Sequence, residues 1–186
     1  MEIQQIKQKV AQAMPTKRFV HTEGVYETAI ILAKRFGVDE KKAAVAALLH
    51  DVAKYLPHEE MKEMLINHHL SSYLDHNEAV WHAPVGSLVA VKEYGICDQD
   101  ILNAIQYHTT GRMQMSDLEK VIYLADYIEP NRKQPGVDEI RELCEKSLDV
   151  AMATTLHRTI NYLNTQTNPD IHPDTLDAYE DYKKYL

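Results

Sequence analysis

The apolar run Ala43-Ala44-Val45-Ala46-Ala47-Leu48-Leu49 leads directly into His50-Asp51. Such a run reads as a helix packed into a core, and an ionised carboxylate at its end is costly to bury unless something compensates it. A divalent cation would compensate the imidazole and the carboxylate together. The pattern recurs downstream, where Asp126 closes the stretch Val121-Ile122-Tyr123-Leu124-Ala125. Acids and histidines at the ends of apolar helices must face one another across a core, which is how metal sites are built in helical bundles.

The rest of the chain has helical periodicity. Apolar positions from Phe19 to Ala33 predict a helix over Lys17–Phe36 that stops at Gly37. Asp39 can cap a helix running to about Tyr55, and Pro57 suits the first turn of another through Leu65. Further helices are expected over Pro84–Tyr94, from Asp98 to near Gly111, and from the capping box Ser116-Asp117-Leu118-Glu119 through Asp126. Segments at Asp138–Glu145 and Leu148–Leu163 follow, then a short one after Pro173. Residues His68 to Asn77 form a looser patch, and no strand or hairpin pattern occurs. The expected class is all-α: one domain of eight to ten helices.

With 186 residues and 45% apolar composition, one sizeable core is affordable. No apolar run is long enough to span a membrane, and the N-terminus lacks a signal-peptide layout, so a cytoplasmic protein is expected. Cys97 and Cys144 lie outside any CxxC pattern and read as reduced thiols. A formal charge of -8 argues against nucleic acid as a partner, although it leaves room for a local phosphate pocket.

Six residues form the candidate constellation: His21, His50, Asp51, His82, His108 and Asp126. Singly, each has an ordinary reading: a helix C-terminus feature (His50-Asp51), a helix-end histidine (His108), a helix-start residue (His82), an amphipathic-face histidine (His21), a hydrogen-bonded buried acid (Asp126). Jointly they lie on five different helical segments and converge only in a folded bundle. A nitrogen-and-oxygen set suits iron, manganese, cobalt, nickel or zinc in a catalytic site. Six ligands exceed what one ion needs, whereas two ions bridged by Asp51 would use them and would suit phosphate chemistry.

The layout His21, His50-Asp51, Asp126 resembles the HD-domain phosphohydrolases, and His82 and His108 look like the extra ligands of their dinuclear branch. Several strings resemble the bacterial YqeK family more closely: Arg18-Phe19-Val20-His21-Thr22-Glu23-Gly24-Val25, His50-Asp51-Val52-Ala53-Lys54, Trp81-His82-Ala83-Pro84-Val85-Gly86, Tyr107-His108-Thr109-Thr110-Gly111-Arg112 and Ala125-Asp126-Tyr127-Ile128-Glu129-Pro130-Asn131-Arg132. The resemblance spans about Lys17 to Pro173. It implies a single HD domain over residues 1–186, with a core at about 17–163 and a C-terminal extension at 164–186. It further implies iron, one or two per chain, with zinc or manganese able to fill the same ligands. The implied activity is symmetrical hydrolysis of diadenosine tetraphosphate to two ADP.

In that reading Asp51 and Lys54 are catalytic, and Arg18, Lys54, Thr109, Thr110, Gly111, Tyr127 and Arg132 contact the nucleotide. Lys54 would follow His50 by one helical turn and reach a phosphate oxygen, and Arg132 would clamp a phosphate bidentately. The competing functions are hydrolysis of another nucleotide, such as a deoxynucleotide or guanosine alarmone, and nucleotide sensing without turnover. A small-molecule nucleotide is the expected partner, with a homodimer compatible with the many tyrosines. His58, His68, His69, His76 and His157 read as solvated, while His172 can edge the pocket.

Overall fold

The Asp39 carboxylate accepts from the backbone N–H groups of Lys41 and Lys42 at 2.8 and 3.0 Å and starts helix α3, Glu40–Leu49. Its first turn is exposed, and from Ala43 to Leu49 every residue but the half-buried Val45 is buried, as the apolar run requires. In the computed structural model, which describes residues 1–186, it stops at Leu49, and not at Tyr55 as the periodicity predicts. From there Val52, Lys54 and Leu56 donate to carbonyls three residues back (Leu49, Asp51, Ala53), so residues 50–56 form a chain of tight turns. His50 and Asp51 therefore sit just beyond the helix, where the tighter winding turns both side chains inward. Lys54 is not one α-helical turn from His50.

Before α3 come α1 (Ile3–Ala13) and α2 (Thr16–Phe36), the latter ending at Gly37 in the left-handed conformation. The polar sequence of α1 conceals its helical character, because it buries only Ile6 and Val10. After the turns come α4 (His58–Asn67), α5 (His82–Tyr94), α6 (Gln99–Gln106) and α7 (Asp117–Ile128). Short 3₁₀ turns at Ser71–Asp75 and Glu78–Val80 fill the looser patch. Helix α6 ends at Gln106, ahead of the expected Gly111, because Tyr107 to Gly111 curl into a turn. The Ser116 capping box forms as expected: its hydroxyl accepts from the Glu119 N–H while Glu119 accepts from the Ser116 N–H. Helices α8 (Val137–Cys144), α9 (Leu148–Asn164) and α10 (Pro173–Tyr182) complete the chain, and no strand is present.

Helix α7 is the central rod: Leu118 through Ala125 are all buried. Helix α2 packs on α3 and α7, α6 packs on α3, α5 and α7, and α9 covers α7 from the other side. One continuous apolar cluster runs from Ile6 to Tyr182. It takes in α1 and α10, so the core is wider than the 17–163 expected, and residues 173–182 belong to it. Residues from α2, α5, α6, α7 and the turn after α3 meet where these helices converge, which places the candidate ligands at the centre of the bundle.

Candidate metal centre

His21 lies in α2, His50 and Asp51 in the turn after α3, His82 at the first position of α5, His108 in the turn after α6, and Asp126 near the end of α7. All six side chains meet. Asp51 is fully buried and its two oxygens face different histidines. Its Oδ2 lies 3.0 Å from His50 Nε2 and 3.7 Å from His21 Nε2, while its Oδ1 lies 3.1 Å from His82 Nε2 and 3.8 Å from His108 Nε2. Asp126 Oδ1 closes the first group, 3.0 Å from His21 Nε2 and 3.9 Å from His50 Nε2. In the second, His82 Nε2 and His108 Nε2 approach to 3.2 Å.

The rings are oriented from behind. His50 Nδ1 donates to the Ala47 carbonyl and His108 Nδ1 to the Ile105 carbonyl, each at 2.7 Å. His21 Nδ1 points at Glu129 Oε1, 3.1 Å away. A ring that donates from Nδ1 keeps a free lone pair on Nε2, so all three aim a ligand atom at the centre. His21 Nε2, His50 Nε2 and Asp51 Oδ1 are buried and form no aligned hydrogen bond. Buried polar atoms almost always find partners, and converging unpaired donors of imidazole and carboxylate type fit a divalent cation.

Glu129 was not singled out among the sequence candidates. It is buried, and its second oxygen accepts from the backbone and side-chain amides of Asn131 at 2.7 and 3.0 Å. Gly24 makes its position available, since a Cβ there would lie 2.5 Å from Glu129 Oε2. The pair Gly24 and Glu129 lies inside two of the family-like strings, but a glutamate before a proline carries no local sign of burial.

Electrostatics favour neutral imidazoles. Burial, reinforced by His82, holds His108 down at about 3, and burial with Lys54 nearby holds His82 at about 3. His50 is likewise pushed well below the usual histidine range, chiefly by burial. Burial works to raise Asp126, but the surrounding His21, His50, Arg132 and His108 outweigh it and keep the carboxyl well below the usual range. Lys54, 3.3 Å from both nitrogens of His82, is lowered to about 8 by burial and by Arg18.

Two cavities reach this centre. The larger, of about 780 Å³, is lined by His108, Thr109, Asp126, Tyr127, Arg132 and Arg158 among others. The smaller, of about 520 Å³, is lined by Lys17, Arg18, His21, Tyr55, Asn131 and Arg132 among others. Of the expected nucleotide contacts, Arg18, Thr109, Tyr127 and Arg132 border these spaces, and Lys54 stands beside His82. Arg18 ion-pairs with Asp51. Arg132 is not free: its Nη2 donates to Asp126 Oδ1 at 2.7 Å and its Nε to the Asp126 carbonyl at 2.8 Å.

Thr110 and Gly111 reach neither cavity. Thr110 is buried with its hydroxyl on the Gly111 carbonyl, and Gly111, at φ 69°, turns the chain against Ala178 and Met115. His76 is not simply solvated; it pairs with Asp170 at 2.7 Å and faces His172, which is buried against Tyr73 and away from both cavities. Arg158 and Tyr55 had no signal in sequence, because neither sits near a ligand in the chain.

The model of the HD domain matches residues 18–131. The chain is 50% identical over 171 residues to a symmetrical bis(5'-nucleosyl)-tetraphosphatase of Bacillus subtilis, with 91% of each chain covered. It is 46% identical over 174 residues to a protein of the same name from Halalkalibacterium halodurans, with 92% of each covered. The crystal structure of a predicted HD superfamily hydrolase involved in NAD metabolism, from Clostridium acetobutylicum, superposes with a TM-score of 0.88 at 35% identity, over 100% of this chain and 99% of that one.

Proposed function

The chain belongs to the HD-domain family, and from that premise we propose that it hydrolyses diadenosine tetraphosphate symmetrically, releasing two ADP, at a centre where Asp51 and the surrounding histidines would hold divalent metal. The name shared by its relatives supports the reaction. The observation that carries the site is the division of Asp51, with one oxygen toward His21 and His50 and the other toward His82 and His108. His21, His50 and Asp126 would hold one ion and His82 and His108 the other. Such ions would supply Lewis-acid charge neutralisation and make a bound water more acidic. Iron is our proposed metal, with manganese or zinc chemically compatible, and cytoplasm the proposed location.

The chain's own groups do the positioning. Lys54, lowered to about 8, remains mostly cationic at neutral pH and stands beside His82, where it can donate to a phosphoryl oxygen. Arg132 fixes Asp126 from outside the bundle and presents the rest of its guanidinium to both cavities. Arg18 ion-pairs with Asp51 and borders the smaller cavity alone. ADP is a competent leaving group, so alignment and charge neutralisation carry the catalysis and a strong general acid is unnecessary. We also propose that residues 1–186 act as one HD domain, because a single apolar cluster runs from α1 to α10.

The experiment is metal analysis of protein purified without added metal, combined with product analysis over a nucleotide panel. Two equivalents of metal and ADP as sole product from diadenosine tetraphosphate are expected. Products of unequal phosphate number, or preference for a deoxynucleotide or guanosine alarmone, would overturn the assignment.

A further inference from the structure

A substrate cut at its midpoint has two equal halves, and both must be held while the central phosphorus reacts. The larger cavity reaches the centre at His108 and Asp126, the smaller one at His21, and Arg132 borders both. We infer that the smaller cavity, between Lys17, Arg18 and Tyr55, is the subsite for the second nucleoside diphosphate half; this rests on the symmetrical hydrolysis proposed above.

Four observations support it. The volume, about 520 Å³, lies in the range of small-molecule sites. Its charge is right for phosphates: Lys17, Arg18 and Arg132 line it, and its one carboxylate, Glu129, is committed to His21 and Asn131. Arg18 runs from this cavity to Asp51 and so marks a cationic path from its wall to the reacting centre. Finally, the two cavities repeat one chemistry. Each joins arginines to a large exposed aromatic ring, Tyr162 at 65% exposure in the larger and Tyr55 at 55% in the smaller, where Val20 adds 47%-exposed apolar surface. An exposed ring bordering a cationic cavity is a surface on which a purine base stacks.

The test compares two substrates in the metal-loaded protein: diadenosine tetraphosphate, with a nucleoside on each half, and adenosine 5'-tetraphosphate, with a nucleoside on one. Tyr55→Ala is expected to lower the ratio of kcat/KM between the first and the second about tenfold, the size expected of one lost base–aromatic stack, with the change in KM. Tyr55→Phe keeps the ring and is expected to restore the ratio. Metal content and Tm report that the fold is intact. An unchanged ratio in Tyr55→Ala, or an equal loss on both substrates, overturns the subsite and leaves the hydrolase assignment standing. Failure of the unsubstituted protein to release ADP from diadenosine tetraphosphate overturns both.

Discussion

His21 Nδ1 lies 3.1 Å from Glu129 Oε1, and of the three ring nitrogens held from behind by an oxygen it alone meets a carboxylate. A carboxylate behind a ligand histidine fixes the tautomer and makes the outward nitrogen a stronger donor. Glu129→Gln keeps the shape but removes the charge, so metal affinity is expected to fall about 10- to 100-fold in a chelator competition. Gly24→Ala is expected to act in the same direction, because its methyl would stand 2.5 Å from Glu129 Oε2. Unchanged affinity in both variants would reduce Glu129 to a packing group.

The oxygens of Asp51 face different histidine pairs, so in the proposed centre its removal would take a ligand from each half. Asp51→Ala is expected to lose bound metal and to cost more than the roughly 100-fold upper range of a supporting residue in turnover. His157→Ala, at an exposed histidine whose partners are Tyr179 and Asn161, serves as the control and should retain both. Stoichiometric metal with near-normal turnover in Asp51→Ala would refute the bridging role.

The convergence of His21, His50, Asp51, His82, His108 and Asp126 was legible in the sequence because charged and imidazole groups that close apolar runs, at Leu49 and Ala125, need polar partners across the core. The all-α class was legible for the converse reason, since helix caps such as Asp39 and Ser116 obey local rules and form as expected. What could not be read was whatever depends on a tertiary neighbour. The inward turn at His50 replaces the helix expected there, and Thr110 and Gly111 turn away beneath α10 although they adjoin His108. Glu129 becomes buried only because Gly24, on another helix, leaves it space.

His172 gives a pH dependence that is independent of the metal centre. Its Nδ1 accepts from the Asp174 N–H at 3.2 Å and so caps α10, which requires the unprotonated ring. Burial lowers its pKa below the ordinary 6.5; of its charged neighbours Asp174 and Asp170 oppose the shift and His76 adds to it. A folded-state value below the unfolded one means the unfolded chain takes the proton first. The stabilisation is therefore present above about pH 6.5 and is lost as pH falls below it. His172→Asn supplies a cap that does not titrate. Its Tm is expected to fall less steeply than that of the unsubstituted protein between pH 7 and pH 5, and parallel slopes would exclude His172 as the titrating group.

The two thiols are expected to behave oppositely. Cys97 is exposed, whereas Cys144 is 1% exposed on α8 and burial pushes its thiol up to about 12, against a weaker lowering by Arg35. The thiolate is the reactive form, so the folded protein should titrate one thiol with an aromatic disulfide reagent, and both only in denaturant. Neither sulfur approaches the cluster of His21, His50, Asp51, His82, His108 and Asp126, whose ligand atoms are all nitrogen and oxygen. Alkylation of Cys97 should accordingly leave hydrolysis and metal content unchanged. Loss of either on modification of Cys97 alone would show that the loop after α5 communicates with the centre.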